Sequence, residues 1–249
     1  MHMSIEVIRN SEIEVIRNSE DVLLMLDSLM REPAPFWDRF YQDRTKKVPF
    51  FVDAPDENLV GYVESGRLQG GRMLELGCGP GRNAIYAAEH GYEVDAVDIS
   101  EEAIAWAKER AAERQVHIGF QCKSVYELQV EPSGYDLVYD SGCLHHLWPH
   151  RRVGYVEMIR QALKPQGYFG LTCFAPGFAE IGGALDHSDW EVYRERSMKG
   201  GQAYSREKLL GIMGEAFELV EFRAMKECDA SEGLFGVPFL SASLWRKKG

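Results

Sequence analysis

The chain has 249 residues, the length of one large α/β domain or, less often, two small ones, and its 45% hydrophobic and 27% charged content is enough for a sizeable core. Its net charge of -11, with basic residues scattered outside Arg44 to Lys47 and Arg246 to Lys248, disfavours nucleic acid as the main partner. No run approaches the roughly 18 apolar residues of a membrane span, and no signal-peptide core opens the chain.

The N-terminus repeats itself, with Ile5 to Glu12 recurring letter for letter as Ile13 to Glu20. One octapeptide repeat is too short for a solenoid. Residues 1–20 are therefore expected to form a mobile duplicated arm, and 21–249 a single domain. Ser19 is expected to cap a helix carrying Val22, Leu23, Leu26 and Leu29 at helical spacing. Aromatic residues crowd 33–55, and Asp56 is placed to cap a helix reaching Val63. Strand 72–76, helix 81–90, strand 92–98 and helix 101–114 follow; Ser100 opens the last, with Glu101 and Glu102 at its positive end. Next come strand 116–121, a short segment at 124–128, strand 135–140, helix 151–163, a turn at Leu163 to Gly167 and strand 168–174. After 175–204 interrupts the pattern, Ser205 caps helix 206–215, and strands 217–225 and 237–245 are joined by a hairpin-like connection. Strands alternating with helices at this spacing predict a parallel sheet covered on both faces, with right-handed crossovers.

The first strand turns into its helix through Glu75-Leu76-Gly77-Cys78-Gly79-Pro80-Gly81-Arg82-Asn83. Glycines at 77, 79 and 81 permit a tight turn and close approach of a ligand to the backbone. Asp98 ends the second strand, where a carboxylate can take a ribose diol. Together they predict an adenosine cofactor across the C-terminal ends of two parallel strands. The order G-x-G-x-G departs from the dinucleotide fingerprint G-x-G-x-x-G and disfavours an NAD-dependent dehydrogenase.

Glu75-x-Gly77-x-Gly79-x-Gly81 resembles motif I of the class I S-adenosylmethionine methyltransferases, and Leu163 to Gly167 is similar to that family's L-K/R-P-G-G turn, with Gln166 replacing the first glycine. The resemblance covers roughly residues 70–248. It implies an α/β, Rossmann-like sheet of seven mostly parallel strands, the last antiparallel, with helices on both faces. It implies S-adenosyl-L-methionine as cofactor and S-adenosyl-L-homocysteine as product. Carried onto this chain, Glu75, Gly77, Cys78, Gly79, Gly81 and Asn83 would hold the methionine part. Asp98 would hold the ribose, Ile99, Ser124 and Val125 the adenine, with Asp140 and Ser141 beside the sulfonium. The resemblance also divides the domain into an N-terminal helical lid (21–68), a cofactor-binding core (70–174), a substrate-side insertion (175–204) and a C-terminal helix and strands (205–249).

Asp140-Ser141-Gly142-Cys143-Leu144-His145-His146-Leu147 follows the fourth strand. His145 or His146 would suit a general base, since an imidazole titrates near neutrality, and Asp140 is a further catalytic candidate. Cys143, His145 and His146 lack the spacing of a metal site, and no metal is expected. Trp37, Tyr41, Phe51 and Cys143 are candidates for an acceptor pocket, joined by Asp186 and Trp190, with His187 and Asp189, from the insertion. The D-x-G-x-x-H-x-L pattern is similar to methyltransferases of the thiopurine, thiol/halide and tellurite-resistance type. No N/D-P-P-Y/F, the mark of base-amino methyltransferases, follows the fourth strand. The resemblance therefore implies methyl transfer to O, N or S of a small molecule. An RNA or protein methyltransferase, or a non-catalytic S-adenosylmethionine-binding module, remains open. Five cysteines without a C-x-x-C pair fit a reducing cytoplasm, and a monomer or homodimer is expected.

Overall fold

The computed structural model describes residues 15–249. Seven strands, β1 (Gly71–Leu76), β2 (Tyr92–Asp98), β3 (Ile118–Cys122), β4 (Tyr135–Ser141), β5 (Leu163–Phe174), β6 (Phe217–Ala224) and β7 (Leu240–Lys247), form one sheet in the order β3-β2-β1-β4-β5-β7-β6. The pairs β1–β2, β1–β4, β2–β3 and β4–β5 are parallel, and β7 runs antiparallel to both β5 and β6. The helices are α1 (Ser19–Ser28), α2 (Ala34–Gln42), α3 (Glu57–Glu64), α4 (Arg82–Glu89), α5 (Glu101–Glu113), α6 (Arg152–Ala162), α7 (Asp189–Glu195) and α8 (Arg206–Met213). None of the described helices is long and apolar enough to cross a membrane.

The two-residue side-chain period of a strand splits the core into two layers. Leu74, Leu76, Val138, Phe169, Leu171 and Trp245 face α6 and α8, where Tyr155, Ile159, Leu209 and Met213 meet them. Met73, Leu137, Tyr139, Val94 and Leu244 face α3, α4 and α5 through Leu59, Tyr62, Ile85, Ala87 and Ile104. The expected α/β sheet, with helices on both faces and its last strand antiparallel, is thus the fold of this chain.

Several local expectations shift. Residues 1–14 of the duplicated arm lie outside the described residues, whereas Ser19 and Glu20 belong to α1. Its cap is Asn18, whose side chain accepts the Asp21 N–H, and Ser19 is the first helical residue. Asp56 occupies the cap position of α3, yet its side chain makes no cap bond there. β3 starts at Ile118, two residues later than expected. Leu163 to Gly167 is an irregular start to β5 rather than a separate turn: Leu163 pairs with Tyr135, and the register resumes only at Tyr168 opposite Leu137. Gln166 lies there at φ +63°, in the left-handed region that favours glycine.

Candidate active site

The C-terminal ends of β1, β2 and β4, together with the segments that follow them, open into a cavity of about 1060 Å³. Residues 15–50 contribute most of the rest of its wall, with α1 and α2 above the strand ends. The size exceeds the usual range for one small ligand, roughly 300–1,000 Å³.

The glycine turn forms one wall. Gly77 and Gly79 have φ of +67° and +51°. A Cβ on Gly77 would lie 2.7 Å from Cys143 Cβ, and one on Gly79 would lie 3.0 Å from Tyr41 Oη. Both positions therefore require glycine on conformational and steric grounds. Gly81 is different. It caps α4 at φ +81°, a Cβ there would sit 3.1 Å from Ala107 Cβ of α5, and it is absent from the cavity wall. Its expected ligand contact is corrected to a helix-packing role. Cys78 and Asn83 are buried beside the cavity.

Glu75 is 1% exposed, and burial pushes its carboxyl up to about 8 against the opposing effects of Arg82, the Asn83 side chain and the Ala84 N–H. Its Oε2 has no hydrogen-bond partner. Asp98 Oδ2 accepts the Gly79 N–H (2.8 Å) and Oδ1 the Ser100 N–H (2.9 Å), while burial moves its carboxyl upward. Ile99, Ser124 and Val125 stand on the wall beyond it, where Ser124 Oγ accepts the Tyr126 N–H at 3.3 Å.

At the end of β4 the expectation for Asp140 fails. Its side chain is fully buried and off the cavity wall, accepting from Cys143 N (2.7 Å), Leu144 N (2.9 Å) and Tyr155 Oη (2.7 Å). The carboxylate shapes the turn that carries Cys143, His145 and His146 to the wall. Burial still raises it to about 6, despite those three bonds. His145 stacks on Phe174 with centroids 3.9 Å apart, and its Nδ1 accepts the Phe174 N–H at 3.1 Å. Burial holds His145 far below an ordinary imidazole; burial and then the charge of Arg31 hold His146 at about 4. Both imidazoles are neutral at pH 7 and weak as bases. Trp37 meets His146 edge-on at 4.8 Å.

Tyr41 and Cys143 line the cavity as expected. Phe51 does not. It stacks on Tyr41 at 5.5 Å within the aromatic cluster and leaves the wall position to Phe50. Asp186 and Trp190 also miss the cavity, bordering a separate shallow depression with Trp190 75% exposed. The neighbouring Asp189 pairs with Arg152, and the insertion supplies only Gly182 to the main wall.

Sequence reasoning missed a buried network behind the glycine turn. Arg82 pairs with Asp56 and donates to Ser141 Oγ (3.0 Å). Asp56 Oδ2 accepts from Tyr139 Oη (2.8 Å) and Thr172 Oγ1 (3.2 Å), while the Asp56 N–H donates to Asn83 Oδ1 (2.8 Å). The network ties the start of α3 to the strand ends and fixes Ser141 on the wall. It also missed the clasp of the roof, where Asp27 of α1 accepts from His150 Nε2 (2.8 Å) and Arg151 Nε (3.0 Å). Among the described residues no group of three His, Cys, Asp or Glu side chains could hold a metal ion.

Comparison with known proteins agrees with this geometry. Residues 73–167 match a family of methyltransferase domains. An uncharacterised methyltransferase of Schizosaccharomyces pombe is 35% identical over 85 residues, covering 34% of this chain and 58% of that protein. A 2-heptyl-1-hydroxyquinolin-4(1H)-one methyltransferase of Mycobacteroides abscessus is 26% identical over 156 residues, covering 62% of this chain and 66% of that protein. The chain thus spans less than two thirds of either relative's length. The fold is shared with a protein solved in connection with conversion of a disulfide bond into a thioacetal group during echinomycin biosynthesis. That match has a TM-score of 0.66 and 21% identity, and covers 87% of this chain and 93% of the other.

Proposed function

We propose that this chain, whose residues 73–167 match a family of methyltransferase domains, is a class I S-adenosylmethionine-dependent methyltransferase and transfers a methyl group from S-adenosyl-L-methionine to an O, N or S atom of a small molecule. The observation that carries the reading is one cavity with two chemically different ends. At one end lie the unpartnered Oε2 of Glu75 and the glycine turn that side chains would block. Cys143 adjoins that turn, and beyond it lie Trp37, His145 and His146.

The unsatisfied carboxyl oxygen and the glycine cradle fit the methyl donor. Glu75, Gly77, Cys78, Gly79, Asn83 and Ser141 would hold its amino-acid part, Asp98 its ribose, and Ile99, Ser124 and Val125 its adenine. When bound, it supplies a methyl group on a sulfonium, already attached to a good leaving group. The chain's own residues then align the acceptor and exclude water, and alignment alone can supply on the order of 7–11 kcal/mol of barrier lowering. His145 and His146 act in this reading as walls that fix the acceptor's plane, together with Trp37.

The roof over the strand ends and the net charge of -11 favour a small acceptor over RNA or protein. A relative that acts on a hydroxyquinolinone supports the same choice. Residues 21–68 serve as the lid, 70–174 as the cofactor core, and five free cysteines suit the cytoplasm. We expect a monomer or homodimer.

The test is calorimetry with S-adenosylhomocysteine, followed by a coupled product-release assay against thiols, phenols, amines and carboxylates. Micromolar binding with turnover of at least one acceptor is expected. Binding without turnover across such a panel would favour a non-catalytic module, and no binding would overturn the proposal.

A further inference from the structure

Among the described residues four cationic side chains line the cavity: Arg17, Arg31, Arg82 and Lys123. Arg17 pairs with Asp21 and Arg82 with Asp56. Lys123 follows β3 beside Ser124. Arg31 alone belongs to the roof while making no ion pair among the described residues. Its guanidinium lies over the Phe36 ring, 3.7 Å from the centroid. The nearby acids of α1 are committed, Asp21 to Arg17 and Asp27 to His150 and Arg151.

The chamber that Arg31 overlooks is apolar. Trp37 packs on His146, His145 on Phe174, and Phe174 approaches Phe239 at 6.2 Å. Arg31 is exposed at the edge of this surface, where its guanidinium offers an anion a charge-assisted, planar pair of donors. The same charge repels a protonated amine. The chamber also has little with which to remove a proton: Asp140 is turned into the protein, and His145 Nδ1 is occupied by the Phe174 N–H. An acceptor that arrives deprotonated needs no such group.

We propose that Arg31 determines specificity by pairing with an acceptor whose nucleophilic atom arrives as an anion, an aryl thiolate or aryl oxyanion, on a flat apolar body. The proposal rests on the methyltransferase reading above. In the transfer, the acceptor's lone pair forms the new bond to the methyl carbon. The bond from that carbon to the donor sulfur breaks, and its electron pair stays on sulfur. The acceptor becomes a neutral methyl thioether or ether, and no proton is left to place.

The test uses the full-length chain saturated with S-adenosylhomocysteine and a matched set of probes: 4-nitrothiophenolate, 4-nitrophenolate, neutral nitrobenzene and cationic 4-nitrobenzylamine. Wild-type protein is expected to bind at least one anion about tenfold or more tightly than nitrobenzene, with the amine weakest. The two anions separate thiolate from oxyanion chemistry. In Arg31→Met the preference for the anion should vanish, and Arg31→Lys should restore part of it. S-adenosylhomocysteine affinity should stay within about twofold in both, which also reports a folded site. The proposal is overturned if wild type shows no preference for either anion, or if the preference survives in Arg31→Met. It is equally overturned if Arg31→Met loses S-adenosylhomocysteine affinity, since Arg31 would then serve the cofactor. Failure of wild type to bind S-adenosylhomocysteine at all would instead sink the methyltransferase reading.

Discussion

Glu75→Gln separates what the buried carboxyl costs the fold from what it contributes to binding. In the ligand-free protein burial raises Glu75 from an ordinary 4.5 to about 8. Below 4.5 both the folded and unfolded chains hold the proton. Between 4.5 and about 8 the unfolded chain releases it while the folded chain keeps it, so stability falls as pH rises and levels off above the folded value. At 1.36 kcal/mol per pKa unit the gap has a ceiling of about 5 kcal/mol. For a domain of this size each kcal/mol moves the melting temperature by about 2–4 °C, so the full effect is on the order of 10 °C. Glutamine keeps an oxygen for the Asn83 and Ala84 donors and removes the titration. Melting of both proteins from pH 5 to pH 8.5, without ligand, should show wild type losing stability relative to Glu75→Gln across that window. S-adenosylhomocysteine should bind the variant about tenfold or more weakly, because a cationic amino group would lose its carboxylate. Parallel melting curves at every pH, or unchanged affinity, would refute the reasoning.

Three further outcomes are expected. Asp140→Ala strands the donors of Cys143, Leu144 and Tyr155 and should cost at least about 3 kcal/mol in chemical denaturation; Asp140→Asn should keep S-adenosylhomocysteine affinity within about threefold, which a carboxylate facing the ligand would not allow. Removing either partner of the buried Arg82–Asp56 pair should destabilise by about 3–5 kcal/mol. The double variant Asp56→Leu with Arg82→Met should lose clearly less than the sum, and additivity in that cycle would show the pair to be uncoupled. Gln166→Gly relieves a left-handed conformation worth about 1–2 kcal/mol while freeing the unfolded chain by about 0.5–1, so melting should rise by roughly 2 °C, and a fall would show that the Gln166 side chain contributes more than its backbone costs.

The parts of the site that could be read from the sequence are those whose chemistry is local. Gly77 and Gly79 are required by backbone angle and close approach, and Asp98 stands at a strand end, so each leaves a mark within a few residues of itself. Gly81 carries the same mark for another reason, because Ala107 of a neighbouring helix presses on it and nothing nearby in sequence says so. Asp140 was misread because an acid at a strand end suggests a ligand; the helical turn at 144–146 behind it offered the other reading, an acid accepting N–H groups three and four residues on. Phe50 and Phe51 are adjacent, and which of them faces the cavity depends on how α2 packs. Asp56 and Arg82 meet only after α3 and α4 have docked, so their pairing is a property of the tertiary fold. The insertion looked like an acceptor wall from its position, but Arg152 and Gln202 draw Asp189 away from the cavity.

β7 lies between β5 and β6 although it follows both in the chain. During synthesis the strands that cradle the donor, β1 to β4, can assemble early, whereas β6 has no seat in the sheet until residues 240–247 leave the ribosome. Until then one side of β5, with Phe169 and Leu171 on it, is an open edge that can recruit strands from other chains. A chain cut within the loop before β7 is therefore expected to pellet from a lysate even with its whole cofactor half intact. Trp245, fully buried in that strand, would give a fluorescence signal for the moment the sheet closes.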